Sequence, residues 1–202
     1  MLIGGLDMLE PEEIQDIIKR FKVNGEDDNC RFKEIIKQRL LNNRAIIHFL
    51  NSPNLDEDCP DDYFGVVIKP EYMIPQTQSE YKNFICFETA WDGSMPRYGS
   101  DKMKLSTITF YILCEEEGNV DKETGLARHD LLAALIKQEF SNSNFFGCKL
   151  EHTKDTPSTT DTHYATRAIE FTIHSLVEGN IKTCGDRMRN MSNRDGHVRS
   201  RK

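Results

Sequence analysis

Residues 104–114, KLSTITFYILC, decide the fold. Ile108, Phe110 and Ile112 fall on one side of an extended chain, with Thr107, Thr109 and Tyr111 on the other. This is the period of two that side chains follow along a strand. Upstream, YKNFICFETAW (81–91) alternates Ile85 and Phe87 with Phe84 and Cys86, and the polar stretch DGSMPRYGSDK (92–102) joins the two runs. They read as an antiparallel pair. Downstream, HYATRAIEFTIHSLV (163–177) sets Ile169, Phe171 and Ile173 against Glu170, Thr172 and His174. CKLEHT (148–153) supplies one more strand, and KDTPSTTD (154–161) between them reads as a turn. YFGVVIKP (63–70) looks like a short strand ended by Pro70.

Elsewhere the period lengthens. Glu10, Pro11, Glu12 and Glu13 give an acidic first turn with proline near its favoured position. Ile14, Ile17, Ile18 and Phe21 then follow at helical spacing, and Asn24-Gly25 closes the segment. Phe32, Ile35, Ile36 and Leu40 predict a second helix, interrupted at Asn42-Asn43 before the short apolar piece AIIHFL. In GLARHDLLAALIKQEF (125–140), Leu132, Leu135, Ile136 and Phe140 form another stripe, with Thr124 as a plausible N-cap. Four long antiparallel strands cannot hide a face from water unaided. The expected class is therefore α+β: an antiparallel sheet of about four strands with helices packed on one face and the other face free. The expected organisation is an N-terminal helical extension (1–28), a core domain (29–178) and a basic tail (179–202).

Charge is unevenly spread. From Ile181 to Lys202 there are seven Lys or Arg against two Asp, a net of +5. Of 26 basic and 33 acidic residues in all, the first 180 positions hold 19 against 31, a net of −12. An acidic body repels phosphates, whereas a basic tail seeks an acidic surface. No stretch reaches the roughly 18 apolar residues that span a bilayer. The opening MLIGGLDMLEPEE lacks the basic region of a signal peptide, so synthesis and residence in the cytoplasm are expected. The six cysteines (Cys30, Cys59, Cys86, Cys114, Cys148, Cys184) form no CxxC, and reduced thiols are the expectation. Cys86, Cys114 and Cys148 sit in strand-like runs, where a thiol behaves as a small apolar group.

Catalytic signatures are missing. There is no GxSxG, no P-loop and no GxGxxG after a strand. His129-Asp130 and Asp161-Thr162-His163 are close in sequence, but neighbours on a helix point about 100° apart and do not converge on one ion. A metal nuclease needs carboxylates and a lysine at one phosphate, and Glu88, the nearest strand acid, has no lysine two residues on. Basic and aromatic residues do not interleave on any strand, so a nucleic-acid-processing enzyme is only a distant alternative. No enzyme activity, cofactor, metal or catalytic residue is expected. What stands out instead is polar content within regular elements: Arg128, His129 and Asp130 in the first turns of a helix, and Arg167 beside the apolar side of a strand. Arginine is enriched at protein interfaces, although an intrachain ion pair is the plainer account of Arg167. Trp91 ends a strand and reads as a core or interface anchor. These five are the candidate subunit-interface residues.

TGLARHDLLAALI, FSNSNFFG and DTPSTTDTHYATRAIEF, with YFGVVIKPEYMIPQTQSEYKNFICFETAW before them, resemble bacteriophage tail terminator and neck proteins. The resemblance covers about Asn43 to Leu176, and its motifs are of moderate specificity. It implies a structural virion protein of tail-terminator-like fold, forming a homo-oligomeric ring, commonly a hexamer. Such a ring caps the tail tube and joins it to the head–tail connector, with sheath as a possible further partner. Another head–tail joining protein, an adaptor or stopper, is the alternative it leaves open. DNA would pass through the ring without sequence-specific binding, and no membrane is involved. A lumen lined by bases would hold phosphates and stall passage. An acidic loop is therefore expected to face it, either Asp56, Glu57, Asp58, Asp61 and Asp62 or the stretch from Glu115, Glu116 and Glu117 to Asp121. The helix before Asn24 and the basic segment after Asn180 look like additions to the family core.

Overall fold

Strand β3 (Lys102–Glu115) is the centre of the sheet. It pairs antiparallel with β2 (Asn83–Asp92) on one side and β5 (Tyr164–Val177) on the other, with Phe87, Phe110 and Ile169 abreast. Beyond β5 lies β4 (Leu150–Thr159), and beyond β2 lies β1 (Ile68–Lys69), which pairs with β2 in parallel. The sheet order is β1-β2-β3-β5-β4, an open α+β sheet with helices packed against it. The computed structural model describes residues 10–23, 28–73, 82–92, 102–159 and 163–177.

Three helices cover the face that carries Ile85, Phe87, Ile108, Phe110, Ile112, Ile169 and Phe171, all of them buried. Helix α4 (Arg128–Phe140) lays Leu132, Ala133, Ile136 and Phe140 onto it. Phe110 is the hub: its ring centre is 4.9 Å from that of Phe140, 5.9 Å from Phe171 and 6.3 Å from Phe87. Helix α2 (Asp28–Asn42) buries Phe32, Ile36, Leu40 and Leu41, and Phe32 meets Phe146 edge-on at 5.0 Å. Asn43 breaks that helix and caps the next, α3 (Arg44–Leu50), its side-chain oxygen accepting from the Ile46 amide at 3.2 Å. An asparagine accepts well at that position because its oxygen satisfies an orphan N–H of the first turn. Asn51 then ends α3 in the left-handed region, at φ 45°.

Several expectations change. The predicted turn at 154–161 is strand as far as Thr159, Pro157 included. Proline is tolerated because β4 is an edge strand, paired only with β5. Between His152 and Lys154 the register slips by one residue. This bulge moves Asp155 to the helix-covered side, in line with Leu150, and breaks the period of two along the strand. The sheet's second face is not free at the end where β2 begins: Phe84, Cys86, Leu113 and Tyr164 are buried there. Tyr72 packs on Tyr111 at 4.5 Å, and the Cys86 thiol lies 3.9 Å from the Met73 carbonyl.

Thr124 does not cap α4, which starts at Arg128 after Ala127. It sits instead in a turn closed by the Asp121 carboxylate, which accepts from its amide at 2.9 Å and its hydroxyl at 2.8 Å. Cys30, Cys59, Cys86 and Cys114 are not joined in disulfides, whereas Cys148 is disulfide-bonded, against the expectation of reduced thiols, and lies in the loop before β4 rather than in a strand. Helix α1 (Pro11–Ile18), continued by a π-helical turn at Lys19–Val23, buries none of its residues. Its predicted closing pair Asn24-Gly25 lies outside the described residues, as does the basic segment after Asn180.

Candidate functional site

Three of the polar residues singled out on α4 and β5, His129, Asp130 and Arg167, meet in one connected chain of charges between helix and sheet. Arg167 shares the helix-covered face with Ile169 and Phe171, one alternation beyond the apolar run. Its Nε donates to Asp155 Oδ1 at 2.6 Å, and its Nη1 donates to Asp130 Oδ1. Lys137, two turns along α4 from Asp130, donates to the other Asp155 oxygen at 2.6 Å. His129 Nε2 lies 3.4 Å from Asp130 Oδ1, and its Nδ1 faces the Asn119 side chain at 2.9–3.1 Å. Asp155 and Lys137, the two members that sequence patterns missed, depend on the bulge in β4, which leaves no mark in residue spacing.

Arg128 points another way. It is 7% exposed, with Nη2 3.1 Å from Asp121 Oδ1 and Nη1 donating to the Phe49 carbonyl at 3.0 Å. Its guanidinium ties α4 to α3 inside the chain, so it is not available to a neighbouring subunit, contrary to expectation. The Thr124 amide and hydroxyl, with Arg128 beyond them, hold the Asp121 carboxyl below its ordinary range. Asp121 is buried, its carboxylate turned to Thr124 and Arg128. Glu115 is likewise not a loop residue: it is the last residue of β3 and pairs with Lys82 at 2.7 Å.

Charge pairing limits the chemistry of this cluster. The Arg167 hydrogen bond, opposed by partial burial and reinforced by Lys137, brings the Asp155 carboxyl down to about 2. A carboxylate held there by two cations is a poor general base near neutrality. Arg167 is shifted upward in turn by Asp155 and Asp130. The cluster clamps α4 to the β4–β5 hairpin.

The other candidates are dispersed. Asp56, Glu57, Asp58, Asp61 and Asp62 are all exposed, with Glu57 3.1 Å from His48 Nδ1. Glu116 and Glu117 are exposed too. Both acidic stretches gather at one end of the sheet, where the Asn83 side chain donates to the Leu50 carbonyl at 2.9 Å. Val120 (61% exposed) and Leu126 (55%) lie in the loop at that end, while Trp91 (55%) stands at the far end of β2. Among the described residues, no group of three or more His, Cys, Asp or Glu comes together as a metal site. Among the same residues, no helix is long and apolar enough to cross a membrane.

The family model described as YomW matches residues 15–173, more than three quarters of the chain. This chain belongs to the YomW family. The YomW match opens inside α1 and closes inside β5, so it takes in all four helices in whole or part and every strand of the sheet. Comparison with curated proteins gives no match.

Proposed function

We propose that this chain is a structural subunit that assembles with copies of itself into a ring, and that the ring is the tail terminator or neck ring of a bacteriophage virion. The supporting observation is the placement of exposed apolar side chains at opposite ends of the sheet: Trp91 at one end, Val120 and Leu126 at the other. Two different patches at opposite ends favour head-to-tail contact, and repeated head-to-tail contacts close into rings when the rotation allows. A large exposed aromatic in a polar setting is a feature of protein contact surfaces. The phage assignment rests on the sequence resemblance over Asn43–Leu176.

In this role the ion-pair clamp keeps the helix–sheet block rigid. The acidic end, with Asp56–Asp62 and Glu116-Glu117, borders the lumen through which DNA passes. The tail tube is the partner on one side and the head–tail connector on the other. His129 and Asp130, at the rim of the clamp, remain candidates for subunit contact; Arg128 does not. The test is a pull-down with tail-tube protein against connector protein. Retention by the tube supports a terminator, retention by the connector alone points to an adaptor or stopper, and retention by neither counts against the neck assignment.

A further inference from the structure

The apolar stripe of α1 is left largely open by the described chain, with the Arg20 guanidinium 5.4 Å from the Phe21 ring. Ile14, Ile17, Ile18 and Phe21 are each between 37% and 43% exposed, on a helix whose other residues are also exposed. A helix with one apolar side left in water is ordinarily covered by a partner.

The charges around the stripe indicate which partner. Glu10, Glu12, Glu13 and Asp16 occupy the first half of the segment, and Lys19 and Arg20 the second. Such a gradient also suits the helix dipole, so the gradient alone does not decide. What decides is that it is centred on the stripe. Turning the helix end for end about a point between Ile17 and Ile18 places Ile14 on Phe21 and Ile17 on Ile18. The same operation lays the acidic half on the basic half. Glu13 accepts from the Glu10 amide at 2.9 Å and closes the capping box of α1, while the Arg20 guanidinium lies 5.4 Å from the Phe21 ring, so each half keeps its own charge beside the stripe. Parallel pairing would instead stack acid on acid. The face is complementary to itself under a twofold axis, which is the condition for an isologous contact.

We infer that α1 docks antiparallel against α1 of a second copy of this chain, with the twofold axis passing between Ile17 and Ile18. A seam of two to three turns buries far less than the roughly 1,200 Å² of a stable complex. Isolated chains should therefore pair only weakly, with a Kd above about 1 μM. The contact strengthens where several copies are already held together. It does not depend on the ring proposal, since the ring contacts lie at the ends of the sheet.

The experiment is sedimentation equilibrium on the full chain over a wide concentration range, with two charge variants. One carries Glu12→Lys and Asp16→Lys, sparing Glu13 because its carboxylate caps the helix; the other carries Lys19→Glu and Arg20→Glu. Wild-type chains should self-associate, each variant alone at least about tenfold more weakly, and an equimolar mixture of the two should recover the wild-type strength or exceed it. Thermal unfolding of both variants should match wild type, because α1 contributes nothing to the core. A second measurement uses cysteine cross-linking in a background with Cys30→Ser and Cys59→Ser. Ile17→Cys should cross-link to itself, and Ile14→Cys only to Phe21→Cys. Wild type that stays single-chain throughout, variants that associate like wild type, or self-cross-linking of Ile14→Cys would each overturn the pairing. Rings that persist in both charge variants would leave the ring proposal intact and sink only the helix contact.

Discussion

Arg167 on β5 reaches across to Asp155 on the neighbouring edge strand, Nε to Oδ1 at 2.6 Å, and holds Asp130 of α4 with its other arm. Because β4 bulges at Thr153, two strands and a helix share one guanidinium. The Thr153 hydroxyl seals the bulge by donating to the Glu170 carbonyl at 3.2 Å.

Asp155→Asn is the sharpest probe of this clamp. It keeps the shape and removes the charge that Arg167 and Lys137 share, and should destabilise the chain by about 1–3 kcal/mol, as expected for charge-assisted bonds in a partly buried site. The pH dependence follows from the shift. The folded carboxyl titrates at about 2, below the roughly 3.9 of an unfolded aspartate. Its contribution is fully present above about pH 4 and is lost as pH falls through about 2. Acid denaturation of Asp155→Asn should therefore lack part of the wild-type loss in that window, measured by urea unfolding at stepped pH.

Thiol reactivity should divide by burial. Burial pushes the Cys114 thiol up to about 12, and the Cys86 thiol is raised by the same cause. Only thiolates react readily, so both should resist a thiol-specific reagent in the folded chain and react once urea unfolds it. Cys59, exposed in the loop before β1, should label quickly in the native state. Mass spectrometry of labelled peptides reads the order directly.

Phe110 is the packing hub, so Phe110→Ala should cost about 3–5 kcal/mol, the range for emptying a large aromatic site in a core. By contrast, Val120→Ala or Leu126→Ala should leave stability within about 0.5 kcal/mol. Chemical denaturation of the three variants separates a core role from a surface role.

Replacing Asp56, Glu57, Asp58, Asp61 and Asp62 with lysine should leave folding intact, because all five are exposed. If this loop borders a DNA lumen, phages carrying the variant should eject DNA more slowly, as added cations hold phosphates. Ejection kinetics equal to wild type would remove the loop from the lumen.

The strand alternation in 83–91 and 104–114 made the centre of the sheet readable, because both faces of those runs follow a strict period of two. The helical stripes at Phe32–Leu40 and Leu132–Phe140 were equally plain. Asp155 was not readable, since a bulge inverts the parity of every residue after it and Pro157 mimics a turn. Arg128, His129 and Asp130 stand adjacent in sequence, yet the helix sends Arg128 inward to Asp121 and leaves Asp130 to Arg167. Spacing alone could not assign those directions. The α1 stripe carried the same signature as the core helices, and only packing showed that its apolar side stays partly exposed.

The central claim is that this chain works by assembling. Native mass spectrometry of the purified full chain, paired with negative-stain imaging, tests it most directly. Closed rings of one defined copy number, six by the family resemblance, are the predicted result. A single-chain mass at every concentration, with no ring in the images, would contradict it.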